Sequence, residues 1–161
     1  MRVYYCSVGY IPDTEAERQM IEPGGYHVVR LPYHVDEFSD AHNMHDRRHP
    51  DAYVVQDWAQ DDRSGLIWPA VDGLGCVEAN LHWEAGDYTE LRDRFVRDPF
   101  GAPDSTATDH RPPSPGMQCF TKGHWIKVSR FTPLSLMVSH NDTVARGLIM
   151  AQFKLTIFAE D

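Results

Sequence analysis

No stretch of this chain approaches the ~20 consecutive apolar residues that a membrane-crossing helix needs. The first residues, MRVYYCSVGY, lack the long apolar region and small-residue cleavage site of a secretory signal. Cysteine is scarce: Cys6, Cys76 and Cys119 are odd in number, far apart, and form no CxxC pair. That excludes a local disulfide framework and predicts a reduced, cytoplasmic protein whose thiols act as small core hydrophobes. Positive charge is also in deficit. Lys+Arg number 15 against 24 Asp+Glu, a formal net charge of -9. Such a surface repels phosphate, so neither nucleic acid nor an anionic membrane is an expected partner. The chain has no GxGxxG, no P-loop, no GxSxG and no HExxH, and GLG at 73–75 is too short to count. There is thus no dinucleotide fingerprint, no P-loop and no local nucleophile signature; Ser, His and Asp could still converge in space, but nothing argues for it, and no organic cofactor is expected. Internal repeats and low-complexity tracts are absent as well.

What is present is an ordinary globular balance, 42% hydrophobic and 24% charged over 161 residues. It predicts a single domain over 1–161 that buries roughly two thirds of its unfolded surface. RVYYCSVGY, 2–10, reads as a strand. DTEAERQMIE, 13–22, has an aspartate cap and early acids and predicts a short helix, stopped by PGG at 23–25. YHVVRL, 26–31, predicts a second strand. Asp36, with Glu37 and Asp40 near a positive helix end, predicts a helix running through His45 and ending before Pro50. A polar loop anchored by Trp58 follows.

The most informative stretch is CVEANLHW. Val77, Ala79, Leu81 and Trp83 alternate with Cys76, Glu78, Asn80 and His82, the period-two signature of a strand with one face on a core. After it, Asp87 can cap a helix whose Tyr88, Leu91 and Phe95 share one face, ended by Pro99. Residues 101–116 read as a proline-rich loop. Residues 117–131 and 146–160 read as strands, the first kinked at Gly123. Together these predict an α+β fold: a ferredoxin-like βαββαβ sandwich with extra terminal strands and helices on one sheet face. The other face would be buried by a second subunit.

Here the residues meet a family. Asp72-Gly73, the strand with Glu78 and Trp83, and the following helix with Leu91 and Phe95 ending at Asp98-Pro99 resemble the EthD-like branch of the dimeric α/β-barrel superfamily. Glu37-Phe38, His42 and His49-Pro50 resemble that branch's first helix, although Asn43 follows His42 in place of a His-Trp pair and Pro50 follows His49 directly. Trp125, Ile126 and Val128 would belong to its last core strand. The match covers about 26–130. It implies a homodimer whose sheets close into a barrel, with a mostly apolar pocket in each subunit. The chemistry it implies is cyclisation, dehydration, isomerisation or cofactor-free oxygenation, and fold alone does not choose among these.

The candidate site residues follow. His42, His45 and His49 lie at i, i+3 and i+7, one face of a continuous helix. Such a trio could bind a metal, but Arg47 and Arg48 repel a cation, and histidines in a last turn also suit the negative helix end. No metal is assigned. His42 or His45 is the candidate general base, histidine being half-charged near neutrality. Glu78 and His82, on one strand face, are either its acid/base partners or polar groups of an interface. Tyr33, Tyr53, Trp58, Trp83, His124 and Trp125 are candidates to hold a flat hydrophobic substrate, or else packing residues; alternation puts His124 and Trp125 on opposite faces. The expected function is cofactor-independent proton-transfer chemistry on an aromatic or polyketide-like small molecule. The alternatives are a non-catalytic ligand-binding or accessory protein of the same fold, and a histidine-rich metalloprotein.

Overall fold

A computed structural model of the chain describes residues 1–34 and 39–160. Strands carry nearly all of its regular structure. They are β1 Arg2–Tyr10, β2 Gln19–Ile21, β3 His27–Val28, β4 Ser39–Asp40, β5 Gly73–Trp83, β6 Leu91–Arg97, β7 Asp104–Arg111, β8 Gln118–Val128, β9 Leu134–His140 and β10 Arg146–Ala159. Helix is confined, among the described residues, to two short 3-10 turns, Glu15–Glu17 and Asp62–Gly65. The larger sheet runs β4-β1-β10-β5-β8 with β2 added to β10, and the smaller runs β3-β9-β6-β7. All pairings are antiparallel. Two antiparallel sheets face to face form a β-sandwich. Among the described residues, no helix is long and apolar enough to cross a membrane.

The alternation read in β5 holds: Val77, Ala79, Leu81 and Trp83 are buried, and their neighbours face outward. Register carries the pattern across the sheet. Val8, Phe153 and Ala79 align in one inward row, and Cys6, Leu155 and Val77 in the next. From the smaller sheet Leu91, Phe95, Leu134, Leu136 and Val138 close the core. Phe95 stacks on Phe153 across it, ring centroids 5.9 Å apart.

The α+β, ferredoxin-like expectation is therefore wrong, and with it the EthD-like resemblance and the α/β barrel. Each expected helix fails for a local reason. Tyr88, Leu91 and Phe95 are spaced for a helix, but Leu91, Asp93 and Phe95 are also i, i+2, i+4, and β6 points all three inward. The inward Asp93 hid the two-residue period. In 13–22, Glu17 accepts the Asp13 and Thr14 N–H groups, both at 3.1 Å, which closes one 3-10 turn before β2 begins. Asp36, Glu37 and Phe38 lie outside the described residues. The remainder of that expected helix is β4 followed by turns, because the Asp40 carboxylate accepts Met44 N–H at 2.9 Å and His45 N–H at 2.7 Å and so ties down a loop. The loop expected at 101–116 contains β7, whose Ser105, Thr106 and Thr108 suit an edge strand beside β6.

One polar feature joins the sheets. Asp93 meets Arg111 Nε of β7 and Lys122 Nζ of β8, each at 2.7 Å, and Lys122 also reaches Asp109 at 2.7 Å. Hydrogen bonding to Lys122 is the largest influence on Asp109, and holds its carboxyl below the usual range.

Candidate functional site: the outer face of the larger sheet

Because directly paired residues point to one side of a sheet, the register defines the outer face row by row. Val3, Phe158, Leu74 and Lys127 form one row; Tyr5, Thr156, Cys76 and Trp125 form the next. Four of these apolar side chains are largely open to solvent: Val3 53%, Tyr5 40%, Leu74 53% and Trp125 57% exposed. Trp125 leans on Phe158 at 5.7 Å between centroids. Strand spacing of ~4.8 Å makes this apolar band about 14 Å wide from β1 to β8 before side chains are counted.

Toward the other end the same face turns polar. Ser7, Lys154, Glu78 and Gly123 make the third row, and Gly9, Gln152, Asn80 and Thr121 the fourth. A shallow hollow of about 90 Å³ opens there, lined by Glu78, Asn80, Thr121, Gln152 and Lys154. Asn80 Oδ1 is buried in it with no hydrogen-bond partner. Burial pushes the Cys76 thiol up, and the Glu78 charge adds to that.

The expected site residues do not come together. Glu78 and His82 lie on this outer face. His45 is enclosed elsewhere, its Nδ1 3.1 Å from the Leu66 carbonyl and Nε2 3.2 Å from that of Pro32, its ring stacked on Tyr33 at 4.6 Å. Burial drives its pKa down. His42 is exposed against Tyr4. Trp83 is a core residue, in edge contact with His140 and Tyr88. His124 points inward and bonds Thr106 Oγ1 at 3.1 Å, and Trp125 points outward, as alternation requires. Tyr53 is exposed and donates to Asp61 at 2.8 Å. Trp58 packs on Tyr10 at 4.8 Å, in a cleft of about 490 Å³ with Arg18, Arg30 and Gln60. Both arginines in that cleft are already committed, Arg18 to Glu84 and Arg30 to Asp62. Among the described residues, no group of three or more His, Cys, Asp or Glu side chains is arranged to hold a metal ion.

Trp125 stood out in the sequence as a site candidate, whereas Val3, Leu74 and Phe158 did not. The signal was present: RVYYCSVGY is apolar at odd and even positions alike, so both faces of β1 ask for cover.

Comparison with protein-family models gives no match, and comparison with curated proteins gives none. Among solved structures, the globular domain of zebrafish complement 1qA protein is similar, with a TM-score of 0.64 at 13% identity. The likeness covers 99% of this chain and 100% of that one. At that identity the likeness speaks to fold alone. It sets the chain among jelly-roll-like β-sandwiches, and the expectation of a small-molecule enzyme, which rested on an α+β pocket, falls with that pocket.

Proposed function

We propose that this chain is a non-enzymatic interaction module that assembles with copies of itself through the outer face of its larger sheet. The observation that carries it is the contiguous apolar band of Val3, Tyr5, Leu74, Trp125 and Phe158 on an otherwise acidic chain. Exposed apolar patches of this kind mark interaction sites. The arrangement matches interface anatomy, an aromatic apolar centre beside a polar rim. A stable contact takes about 800 Å² per partner, more than two apolar rows supply. The neighbouring Lys154, Glu78, Asn80 and Gln152 therefore belong to the contact, and a partner donor would satisfy Asn80 Oδ1. This reading retains self-association from the expected homodimer and drops the barrel and the substrate.

Light scattering on the purified chain tests it. The wild type is an oligomer, and Trp125→Asp or Leu74→Asp is a folded monomer, since both side chains point to solvent and neither substitution touches the core. A monomeric wild type, or variants that keep its mass, would overturn the proposal.

A further inference from the structure

His49 is a buried histidine with nothing to bond. Its side chain is 3% exposed, and neither Nδ1 nor Nε2 has a hydrogen-bond partner. His140 shows the usual arrangement in the same molecule. It is as deeply buried, but its Nε2 donates to the Ile21 carbonyl at 2.8 Å and its Nδ1 accepts Asp142 N–H at 3.2 Å. Buried polar groups are almost always paired, so each exception needs a reason.

The surroundings supply one. His49 sits in a tight hairpin: its N–H donates to the Tyr53 carbonyl at 2.9 Å, and Val55 N–H donates to the Arg47 carbonyl at 2.8 Å. The turn passes through Ala52 at φ 71, a left-handed conformation that a non-glycine residue adopts at a cost. The imidazole is walled by Trp68 and Tyr53, at 5.7 and 5.9 Å between centroids, and the Trp68 indole N–H is also buried and unpaired. The charged groups facing the ring come from three directions. Asp46 and Asp51 are its neighbours along the chain, Asp61 and Arg63 belong to the segment bonded to the hairpin, and His45 is close enough for the two rings to disfavour each other's charge. Asp51 and Arg63 pair at 2.9 Å, and Asp61 accepts the Tyr53 hydroxyl. The two carboxylates that would welcome an imidazolium are thus bound to neighbours of the ring rather than to the ring, and Asp51 itself is open to solvent.

We propose that His49 is an acid-released latch: neutral, it seats under Trp68 and Tyr53 and holds the 47–55 hairpin closed, and protonated, it leaves the wall for Asp51 and Asp61 and the hairpin opens. A neutral ring tolerates an apolar wall and a cation does not. Opening lets the proton bind at an ordinary imidazole pKa of ~6.5. Closure is thus fully favoured above that pH and weakens as pH falls below it, by up to about tenfold per pH unit for one proton.

Native-state hydrogen exchange on the full chain tests this, read as protection factors so that the intrinsic pH dependence of exchange cancels. Protection of the His49 and Val55 amides falls up to about tenfold per unit as pH drops below ~6.5, while amides of β5 and β10 in the core hold theirs. His49→Phe keeps the wall and removes the proton, so its hairpin protection does not change with pH. If the phenylalanine disturbs folding, His49→Gln serves, being uncharged at every pH. Hairpin protection that is flat with pH in the wild type would overturn the latch. So would a fall that persists in both variants, or one shared equally by the core amides.

Discussion

Asp93 is the residue whose loss should hurt the sandwich most for its size. It is 2% exposed, between Arg111 on β7 and Lys122 on β8. With Asp109 the four groups form two carboxylates and two cations, neutral as a set. Asp93→Ala leaves two cations facing one carboxylate in a poorly hydrated place. Breaking a buried pair by deleting one partner costs 3–5 kcal/mol in general. Arg111 and Asp109 keep some contact with water, which favours the lower end, about 3 kcal/mol. For a chain of this length that lowers Tm by roughly 6–12 °C, at 2–4 °C per kcal/mol. Urea unfolding followed by tryptophan fluorescence measures it, with the slope m unchanged if the native fold is kept. The paired replacement Asp93→Leu with Lys122→Met should come back to within about 1–2 kcal/mol of the wild type, because charge and partner leave together. A loss below about 1 kcal/mol for Asp93→Ala at unchanged m would refute the view that this cluster pins the two sheets together.

Three further outcomes follow from single contacts. A Cβ at position 65 would stand 2.2 Å from the Val29 carbonyl oxygen and 2.5 Å from Val28 Cγ1, so Gly65→Ala should destabilise by about 2–3 kcal/mol in the same urea assay. Asp142 is held to about 2 chiefly by its hydrogen bond from Arg146. Its stabilisation is therefore complete above the unfolded carboxyl value of ~3.9 and lost as pH falls from there through about 2, so Asp142→Asn should flatten the acid limb of a stability–pH curve over that window. Of the thiols, Cys119 is exposed and Cys6 is buried in the core, its pKa pushed far up by desolvation. A disulfide reagent should label Cys119 at once and Cys6 only after unfolding, which mass spectrometry of timed quenches resolves.

How much of this was legible in the sequence differs by element. The strand at 76–83 announces itself by its period-two pattern, and those at 2–10 and 118–128 by their β-branched and aromatic residues. β6 was hidden by its own ion cluster. An inward aspartate breaks the apolar alternation, and its partners Arg111 and Lys122 are distant in sequence, so the pattern defaulted to a helix. β7, DSTATDHR, has few apolar residues to alternate and is held as an edge strand by β6. HNMHDRRHP reads as a helix end because it closes on Pro50 and carries Arg47 and Arg48, while the i, i+3, i+7 spacing of its histidines is what suggests a metal. The structure scatters them: His42 in the open against Tyr4, His45 under Tyr33, His49 under Trp68. Of the outer face, Trp125 could be placed by alternation, but the band it belongs to is made by register between β1, β10, β5 and β8, and register is a tertiary property.

The central claim is that the outer face of the larger sheet joins one copy to another. Hydroxyl-radical footprinting across a dilution series, with sedimentation equilibrium on the same samples, tests it most directly. Labelling of Trp125, Leu74 and Tyr5 is expected to fall as mass rises with concentration, while exposed Phe100, between β6 and β7 of the smaller sheet, labels equally throughout. A chain that associates with Trp125 and Leu74 still fully labelled, or one that stays monomeric across the series, would contradict it.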